Sequence, residues 1–373
     1  MQNGIYSHQE AEKRFPERKR IENEQVYKRR KEKGLSKYAN LYINPRNPML
    51  YRIYKGLGWK VVVVGIDASI IDETNALISI GNAARKDAGI YESSKVHMKK
   101  LLKDIRSIEY WDNIPNYHIK NYLNQNVSNG DIAYSSQVLI MSEVLIPNRV
   151  PKKYIRSVYV PSEEVKKEVE RLLESCEKAV RVEISVVPDL FFEPERKIEL
   201  FPNMWIAYGD MFFADAEVLT ISVNVVGVMG KGLASRFKYM FPEAYVRYQE
   251  LCKSGELAVG KPYLLEMADT NGSMKYRKFL LFPTKKHWRE KSKIDYIKKG
   301  LEYLKFKVDS GEWQMKSIAL PALGCGLGGL DWKDVGRLMV NELKPLAQKG
   351  IKIIIYVPKP KEEYFSKEFY LKK

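Results

Sequence analysis

The stretch Val223–Gly232, VNVVGVMGKG, ends a β-branched run and opens the helical pattern LASRFKYMF. Glycines between a strand and a helix leave backbone N–H groups open to an anion. Spacing excludes two familiar phosphate loops. Gly230-Lys231 is followed by Gly232 rather than Ser or Thr, and Gly227, Gly230 and Gly232 do not make G-x-G-x-x-G. A second glycine-rich loop, LPALGCGLGGLDW from Leu320 to Trp332, also follows a strand pattern and precedes a helical one. One such loop alone reads as a plain turn, but two at equivalent strand ends can enclose a diphosphate. Glu143 raises a different question, because a carboxylate within VLIMSEVLIP costs free energy unless it is paired or used. The competing reading is a strand alternating faces, with Glu143 turned to water. Thr284, Lys285, Lys286, His287, Trp288 and Arg289 combine cations, a hydroxyl and a flat ring, the components of a single-stranded nucleic-acid surface. An ordinary loop with Trp288 packed inward is the alternative.

Composition points to a polyanionic partner. The 373 residues carry a formal net charge of +17, and 24 Tyr, 13 Phe and 6 Trp supply stacking surfaces. A thermophile's lysine excess would also raise the charge. Cys176, Cys252 and Cys325 are widely spaced without a CxxC pair, which argues for a reducing compartment and against structural zinc. With four histidines and no HExxH, no metal is expected. The N-terminus, MQNGIYSHQEAEKRFPERKR, is too charged for a secretory signal, and no run approaches the roughly 20 apolar residues of a membrane span. A cytoplasmic protein is expected.

The length predicts two domains to carry these residues. In the first, KRIENEQVYKRRKEKG (residues 19–34) of the charge-dense segment Lys13–Lys33 reads as a solvated helix with mixed ion pairs, and NLYINPRNPMLYRIYKG cannot be helical through Pro48. Strands are expected at Lys60–Val64, Gln137–Ile146, Ile155–Val160 and within VRVEISVVP, and Ser162 caps a helix running to Lys178. The segment Phe191–Phe201 has no clear period and contains Pro194, so the boundary falls there. Beyond it, strands are expected at Trp205–Tyr208, Val218–Val223, Tyr263–Glu266, Lys278–Phe282, Ser317–Pro321 and Ile351–Val357. Helices are expected at Leu233–Lys253, divided by Pro242, at Ile294–Ser310, and at Trp332–Lys349 capped by Asp331. Such alternation predicts a sheet covered on both faces, with ligands at the carboxyl ends of its strands.

Gly209-Asp210, Val223-Asn224, VMGKGLASRFK, FPTKKHWREKS and LPALGCGLGGLDW together resemble a macrodomain, closest to the DarG-type DNA ADP-ribosyl glycohydrolase antitoxins. The resemblance implies an α/β three-layer macrodomain with a central mixed sheet over residues 205–358, and ADP-ribose as its ligand. Asp210 would lie near the adenine. Gly230, Gly232 and the loop Leu323, Gly324, Cys325, Gly326, Leu327 and Gly328 would wrap the diphosphate and distal ribose, while Asn224 would bind that ribose or brace the loop. Lys238 matches the family's lysine one turn beyond the glycines, where an amine can attack or protonate at the anomeric carbon. Some relatives carry an Asp at the place of Gly328, so Lys238 would carry more of the chemistry here.

NLYINPRNPML and SEVLIPNRVP resemble the DarT-type DNA ADP-ribosyltransferase toxins, which move ADP-ribose from NAD to thymine in single-stranded DNA. The resemblance implies an α+β ADP-ribosyltransferase-like domain over residues 1–190, with Glu143 as the transferase glutamate. Arg30, Arg29 and Arg46 are candidates to neutralise the diphosphate of NAD, Tyr42 and Asn44 to line its pocket, and His97 to assist at the base. The family places a strand with an NAD-contacting His ahead of Gly4. The chain begins there, so a shortened transferase, or a DNA-binding or autoinhibitory platform, is expected. A linker at 191–204 and a charged surface tail at 359–373 complete the expected plan. The whole reads as a toxin–antitoxin fusion in which tethering places the eraser at high effective concentration near the writer's product and leaves room for an intramolecular contact between the two domains. A module that binds ADP-ribosylated DNA without turnover, or a hydrolase of protein adducts, are the alternatives.

Overall fold

Residues 204–208, 318–320 and 353–356 are apolar throughout and Val218–Asn224 is buried at six of its seven positions, as strands covered on both faces require. The computed structural model describes residues 4–17, 24–57, 61–108, 117–123, 133–175, 181–267 and 278–371. The chain divides into two compact units, Met1–Phe191 and Phe192–Lys373. Among the described residues no helix is long and apolar enough to cross a membrane.

The first unit is α+β. Its strands are β1 (Ile5–Tyr6), β2 (Tyr38–Tyr42), β3 (Val63–Ile66), β4 (Leu77–Ile80), β5 (Gly89–Glu92), β6 (Tyr117–His118), β7 (Ala133–Tyr134), β8 (Glu143–Pro147), β9 (Arg149–Val150), β10 (Ile155–Val160) and β11 (Glu183–Val186). Its helices are α1 (His8–Arg14), α2 (Glu24–Glu32), α3 (Pro48–Leu57), α4 (Ile70–Glu73), α5 (Met98–Ser107), α6 (Ser136–Leu139) and α7 (Glu163–Glu174). An antiparallel sheet of order β2-β8-β4-β5 sets Glu143 between Tyr42 and Ser79. Ile78, Ile80, Val144 and Ile146 of this sheet pack against Leu101 and Ile105 of α5. A second sheet, β11-β10-β3, pairs β10 parallel to β11 and antiparallel to β3. Asn47 caps α3, its Oδ1 accepting from the N–H groups of Met49 (2.9 Å) and Leu50 (3.1 Å), with Pro48 at the first helical position.

Three expectations for this unit change. Gln137–Ile146 is not one strand: α6 and a turn precede β8, and Leu139 and Ile140 are buried in the same core as the strand. A short apolar run does not distinguish these two conformations. The expected strand Lys60–Val64 is shifted to β3 and only half-buried, and Lys60 lies outside the described residues. Of the solvated helix expected over residues 19–34, α2 covers Glu24–Glu32, and it is not wholly solvated because Arg30 is buried; residues 18–23 lie outside the described set. Ser162 does cap α7, accepting from Val165 N–H, but Cys176 and Lys178 lie outside the described residues.

In the second unit the strands are β12 (Arg196–Phe201), β13 (Met204–Tyr208), β14 (Val218–Asn224), β15 (Tyr263–Glu266), β16 (Lys278–Lys285), β17 (Ser317–Leu320) and β18 (Lys352–Tyr356). The helices are α8 (Gly232–Met240), α9 (Pro242–Ser254), α10 (Ile294–Asp309), α11 (Trp332–Gln348) and α12 (Lys367–Leu371). The sheet order is β12-β13-β18-β17-β14-β16-β15. Its inner pairs are parallel and its two outer pairs antiparallel. Alternate residues face opposite layers. Leu280, Phe282, Ile353 and Ile355 pack with α10 and α11, while Phe279, Leu281 and Ile354 pack with α8 and α9. The result is the expected three-layer macrodomain architecture with a mixed sheet.

The expected linker and tail are both structural. Residues 196–201 are the edge strand β12, paired antiparallel with β13. In the segment 359–373, Tyr364, Phe365, Phe369 and Tyr370 are buried in the core under α11. Tyr370 Oη donates to the Tyr364 carbonyl (2.8 Å) and Arg337 Nε to the Phe369 carbonyl (2.9 Å). Arg196 of β12 pairs with both carboxylate oxygens of Glu362 and lies 4.2 Å from the Phe365 ring centroid.

Candidate functional site

Because β14 and β17 are neighbouring parallel strands, the two glycine loops leave the sheet side by side. The end of β16 touches both: Val225 N–H donates to the Lys286 carbonyl (3.4 Å), and Lys285 Nζ to the Leu327 carbonyl (2.7 Å). Burial lowers the Lys285 pKa. Helix α8 opens at Gly232, with φ +63°; the side chain of its N-cap, Lys231, makes no capping bond and the first turn holds no acidic residue. Its N–H groups therefore face the first loop, ready for an anion. The opposite holds at α11, where Asp331 Oδ1 already accepts from Lys333 N–H at 2.7 Å. Gly230 and Gly232 border open space: no atom lies within 4 Å of where a Cβ would sit.

The second loop is tightly wound, with Leu330 N–H bonded to the Gly324 carbonyl and Gly329 N–H to that of Gly326, both at 3.0 Å. A Cβ on Gly328 would meet the Gly324 carbonyl oxygen at 2.2 Å and Ser292 Oγ at 2.4 Å. Position 328 thus has no room for a side chain here. Leu323 is buried, Gly326 borders open space, and Leu327 is 70% exposed. Cys325 is half-buried, and burial pushes its thiol up to about 12.

Asp210 follows β13, accepts from Phe212 N–H (3.1 Å) and pairs with Arg236 of α8, whose guanidinium lies 4.4 Å from the Phe212 ring centroid. Lys238 lies two residues further along, half-buried. Its Nζ is 4.9 Å from the Tyr245 ring centroid and 5.7 Å from that of Tyr239. Asn224 braces its own loop, one of the two roles expected for it: Nδ2 donates to the Val228 carbonyl (2.6 Å), and Oδ1 accepts from Val226 N–H (3.0 Å) and Tyr248 Oη (3.1 Å).

The segment expected to face DNA is divided. Thr284 is buried and its hydroxyl bonds the Val223 carbonyl at 3.5 Å, so it belongs to the sheet rather than to a surface. Lys285 turns to the second loop. Lys286 and Arg289 are exposed, and Trp288 is 47% exposed rather than packed inward. Trp288 is flanked by the His287 ring at 5.4 Å and the Arg289 guanidinium at 4.5 Å, which leaves a flat cationic platform.

In the first unit Glu143 is fully buried, not turned to water. Arg30, 5% exposed on the inner side of α2, sends Nη2 to both carboxylate oxygens at 2.8 Å, and Ala83 N–H adds a bond at 3.4 Å. Beside them, Gly81 N–H donates to Ser142 Oγ and Ser79 Oγ to the Gly81 carbonyl, both at 2.9 Å, which fixes the approach of the 81–84 turn. Tyr42, opposite Glu143 in β2, accepts from Asn82 Nδ2 at 3.4 Å. Arg29 is exposed on the other side of α2. Arg46 is paired with Asp189 (3.3 Å), and Asn44 folds its own turn by accepting from Arg46 N–H. His97 is exposed ahead of α5.

Sequence reasoning missed Arg236, Tyr245, Ser292 and Ala83. The first two had a signal, since a second cation in ASRFK and a tyrosine beyond Pro242 both lie near Lys238 in the chain. Ser292, whose buried Oγ abuts Gly328, and the Ala83 N–H are brought in by long-range packing.

Residues 1–192 match the family described as ssDNA thymidine ADP-ribosyltransferase, DarT, and residues 222–339 match the Macro domain family. A DNA ADP-ribosyl transferase–DNA ADP-ribosyl glycohydrolase fusion protein of Thermosipho africanus is 37% identical over 385 residues, covering 96% of this chain and 90% of that protein. The solved structure of Thermosipho africanus DarTG in complex with ADP-ribose superimposes with a TM-score of 0.82 at 35% identity, covering 99% of this chain and 95% of that one. A DNA ADP-ribosyl glycohydrolase of Mycobacterium tuberculosis is 41% identical over 150 residues, 40% of this chain and 41% of the relative. With one match spanning the whole first unit and a relative aligned almost end to end, the chain belongs to the family of fusions that join a DarT unit to a DarG-type macrodomain.

Proposed function

We propose that the second unit removes ADP-ribose from thymine in single-stranded DNA and that the first unit attaches it from NAD. The observation that carries the reading is the pair of glycine loops on adjacent parallel strands, beside an uncapped helix terminus that leads to Lys238. The diphosphate lies against the N–H groups of α8 and the loop 323–328, and the adenine lies toward Asp210. Lys238 acts at the anomeric carbon of the distal ribose. The bond from that carbon to the base breaks, water supplies the hydroxyl left on ADP-ribose, and the base takes a proton. The platform of Trp288 and Arg289 holds the DNA strand outside the pocket.

In the first unit Glu143 holds a ribose hydroxyl and stabilises the positive charge that develops as nicotinamide leaves, and thymine then bonds to the anomeric carbon through a ring nitrogen that gives up its proton to solvent. Arg30 orients that carboxylate and meets the diphosphate. Two incubations of the full chain test the proposal. An ADP-ribosylated thymine oligonucleotide should release free ADP-ribose, and a Lys238→Ala chain that releases it as fast as the parent refutes the eraser assignment. The same Lys238→Ala chain, given NAD and a thymine-containing strand, should accumulate adduct. No adduct, with Glu143→Ala making no difference to growth toxicity, refutes the writer.

A further inference from the structure

Pro242 sits four residues beyond Lys238. A proline ring has no N–H and collides with the carbonyl of the residue four before it, here Lys238, so α8 cannot continue unbroken into Pro242. The last bond of α8 is Phe241 N–H to the Phe237 carbonyl (2.9 Å), after which Phe241 leaves the helical region (φ −133°, ψ 67°) and α9 starts at Pro242. Seven residues of unbroken helix would separate positions 238 and 245 by about 10 Å along the axis, and side chains would lean away from the later one. The break folds α9 back instead, and the Tyr245 ring centroid lies 4.9 Å from Lys238 Nζ. Tyr239 closes a second side at 5.7 Å. Among the described residues no carboxylate forms an ion pair with this ammonium, so its N–H donors are not committed to an anion. The same Tyr245 donates its hydroxyl to the Gly227 carbonyl of the first glycine loop at 3.4 Å, beside the Gln249 amide that reaches the same oxygen at 3.4 Å.

We propose that Tyr245 is a positioning residue for the glycohydrolase reaction: its ring holds the Lys238 ammonium at the end of α8 by a cation–π contact, aimed at the distal ribose. A π face attracts the ammonium without accepting a strong hydrogen bond, so it fixes direction while leaving the donors free for the ligand. The hydroxyl bond to Gly227 is secondary, because Gln249 shares that carbonyl. The inference rests on the reading of Lys238 as the reacting amine.

The test measures kcat and KM for ADP-ribose release from the modified oligonucleotide, and the Kd of free ADP-ribose, in full chains carrying Tyr245→Phe, Tyr245→Leu, Lys238→Ala and the Lys238→Ala, Tyr245→Leu pair. Tyr245→Leu should lose kcat by roughly 3- to 30-fold, the span of a cation–π contact, with the ADP-ribose Kd within about twofold of the parent. Tyr245→Phe keeps the ring and should keep kcat. In the Lys238→Ala background, Tyr245→Leu should cost nothing further. If Tyr245→Leu matches the parent while Lys238→Ala is inactive, the inference is wrong. It is equally wrong if Phe and Leu weaken Kd and kcat together, which marks a mere brace of the glycine loop. Should the Leu chain lose its folded circular dichroism, Tyr245→Met carries the same comparison. A fully active Lys238→Ala chain sinks the underlying reading of Lys238 instead.

Discussion

The buried pair of Arg30 and Glu143 makes the most demanding prediction. The carboxylate is wholly buried and the guanidinium 5% exposed, with two 2.8 Å contacts between them. Removing one partner of such a pair leaves the other charge without compensation, at a cost of about 3–5 kcal/mol. In a unit of this size each kcal/mol moves the melting temperature by about 2–4 °C, so Arg30→Leu should lower the transition of the first unit by roughly 6–20 °C. Replacing both residues, as Arg30→Leu with Glu143→Leu, should recover much of that loss, because an apolar pair has no charge to desolvate. Differential scanning calorimetry of the full chain measures Arg30→Leu, Glu143→Leu and the pair against the parent, and this double-mutant cycle isolates the coupling. Arg30→Lys keeps the charge but not the two-pronged geometry and should fall between. A shift under about 2 °C for Arg30→Leu, with the two losses simply adding, would falsify the claim that this pair is desolvated in solution.

Three further outcomes are expected. Gly328→Ala should weaken ADP-ribose binding, measured by calorimetry, by at least about tenfold, since the new Cβ meets a backbone oxygen at 2.2 Å and the loop must unwind; unchanged affinity would show that the loop is not held as described. Trp288→Ala should raise KM for the modified oligonucleotide by about 5- to 100-fold, the worth of one stacked base, and leave the affinity for free ADP-ribose alone. Deleting residues 359–371 strips Tyr364, Phe365, Phe369 and Tyr370 from the core and should cost several kcal/mol, seen as loss of the second unit's unfolding transition while that of the first persists.

Where one local pattern determined the outcome, the sequence was readable. Tyr263–Glu266 and Ile155–Val160 are strands with the bounds their apolar runs suggest, Pro242 divides α8 from α9, and Asp331 and Ser162 cap the helices expected of them. The misreadings share one cause, a contact distant in sequence. RKIELF has a period of two only when Ile198 and Leu200 are seen to pack under the sheet, and Pro194 obscured it. Lysines and glutamates around Tyr364, Phe365, Phe369 and Tyr370 gave the last segment a polar average while its aromatics turned inward. Thr284 reads as a loop hydroxyl because the strand was expected to end at Phe282, but pairing with β14 carries β16 on to Lys285. At the sites, Glu143 stands out by its apolar neighbours, whereas Lys238 is singled out only by the resemblance of its loop-helix motif. The Arg30 partner of one and the Tyr245 partner of the other do not stand out, because 113 residues and a helix break respectively separate the members of each pair.

The aromatic lock at residues 364–370 also sets a timetable. The first unit ends at Phe191, so all of its residues are available for folding while the second unit is still being synthesised. The second unit's core lacks four of its aromatic side chains until Tyr370 has been made. At about 5–20 residues per second, the stretch from Phe192 to Tyr370 takes on the order of 10–40 s. For that interval each nascent chain carries a fully synthesised first unit and an unfinished second one, so whatever the first unit does in that time is answered only by second units finished earlier.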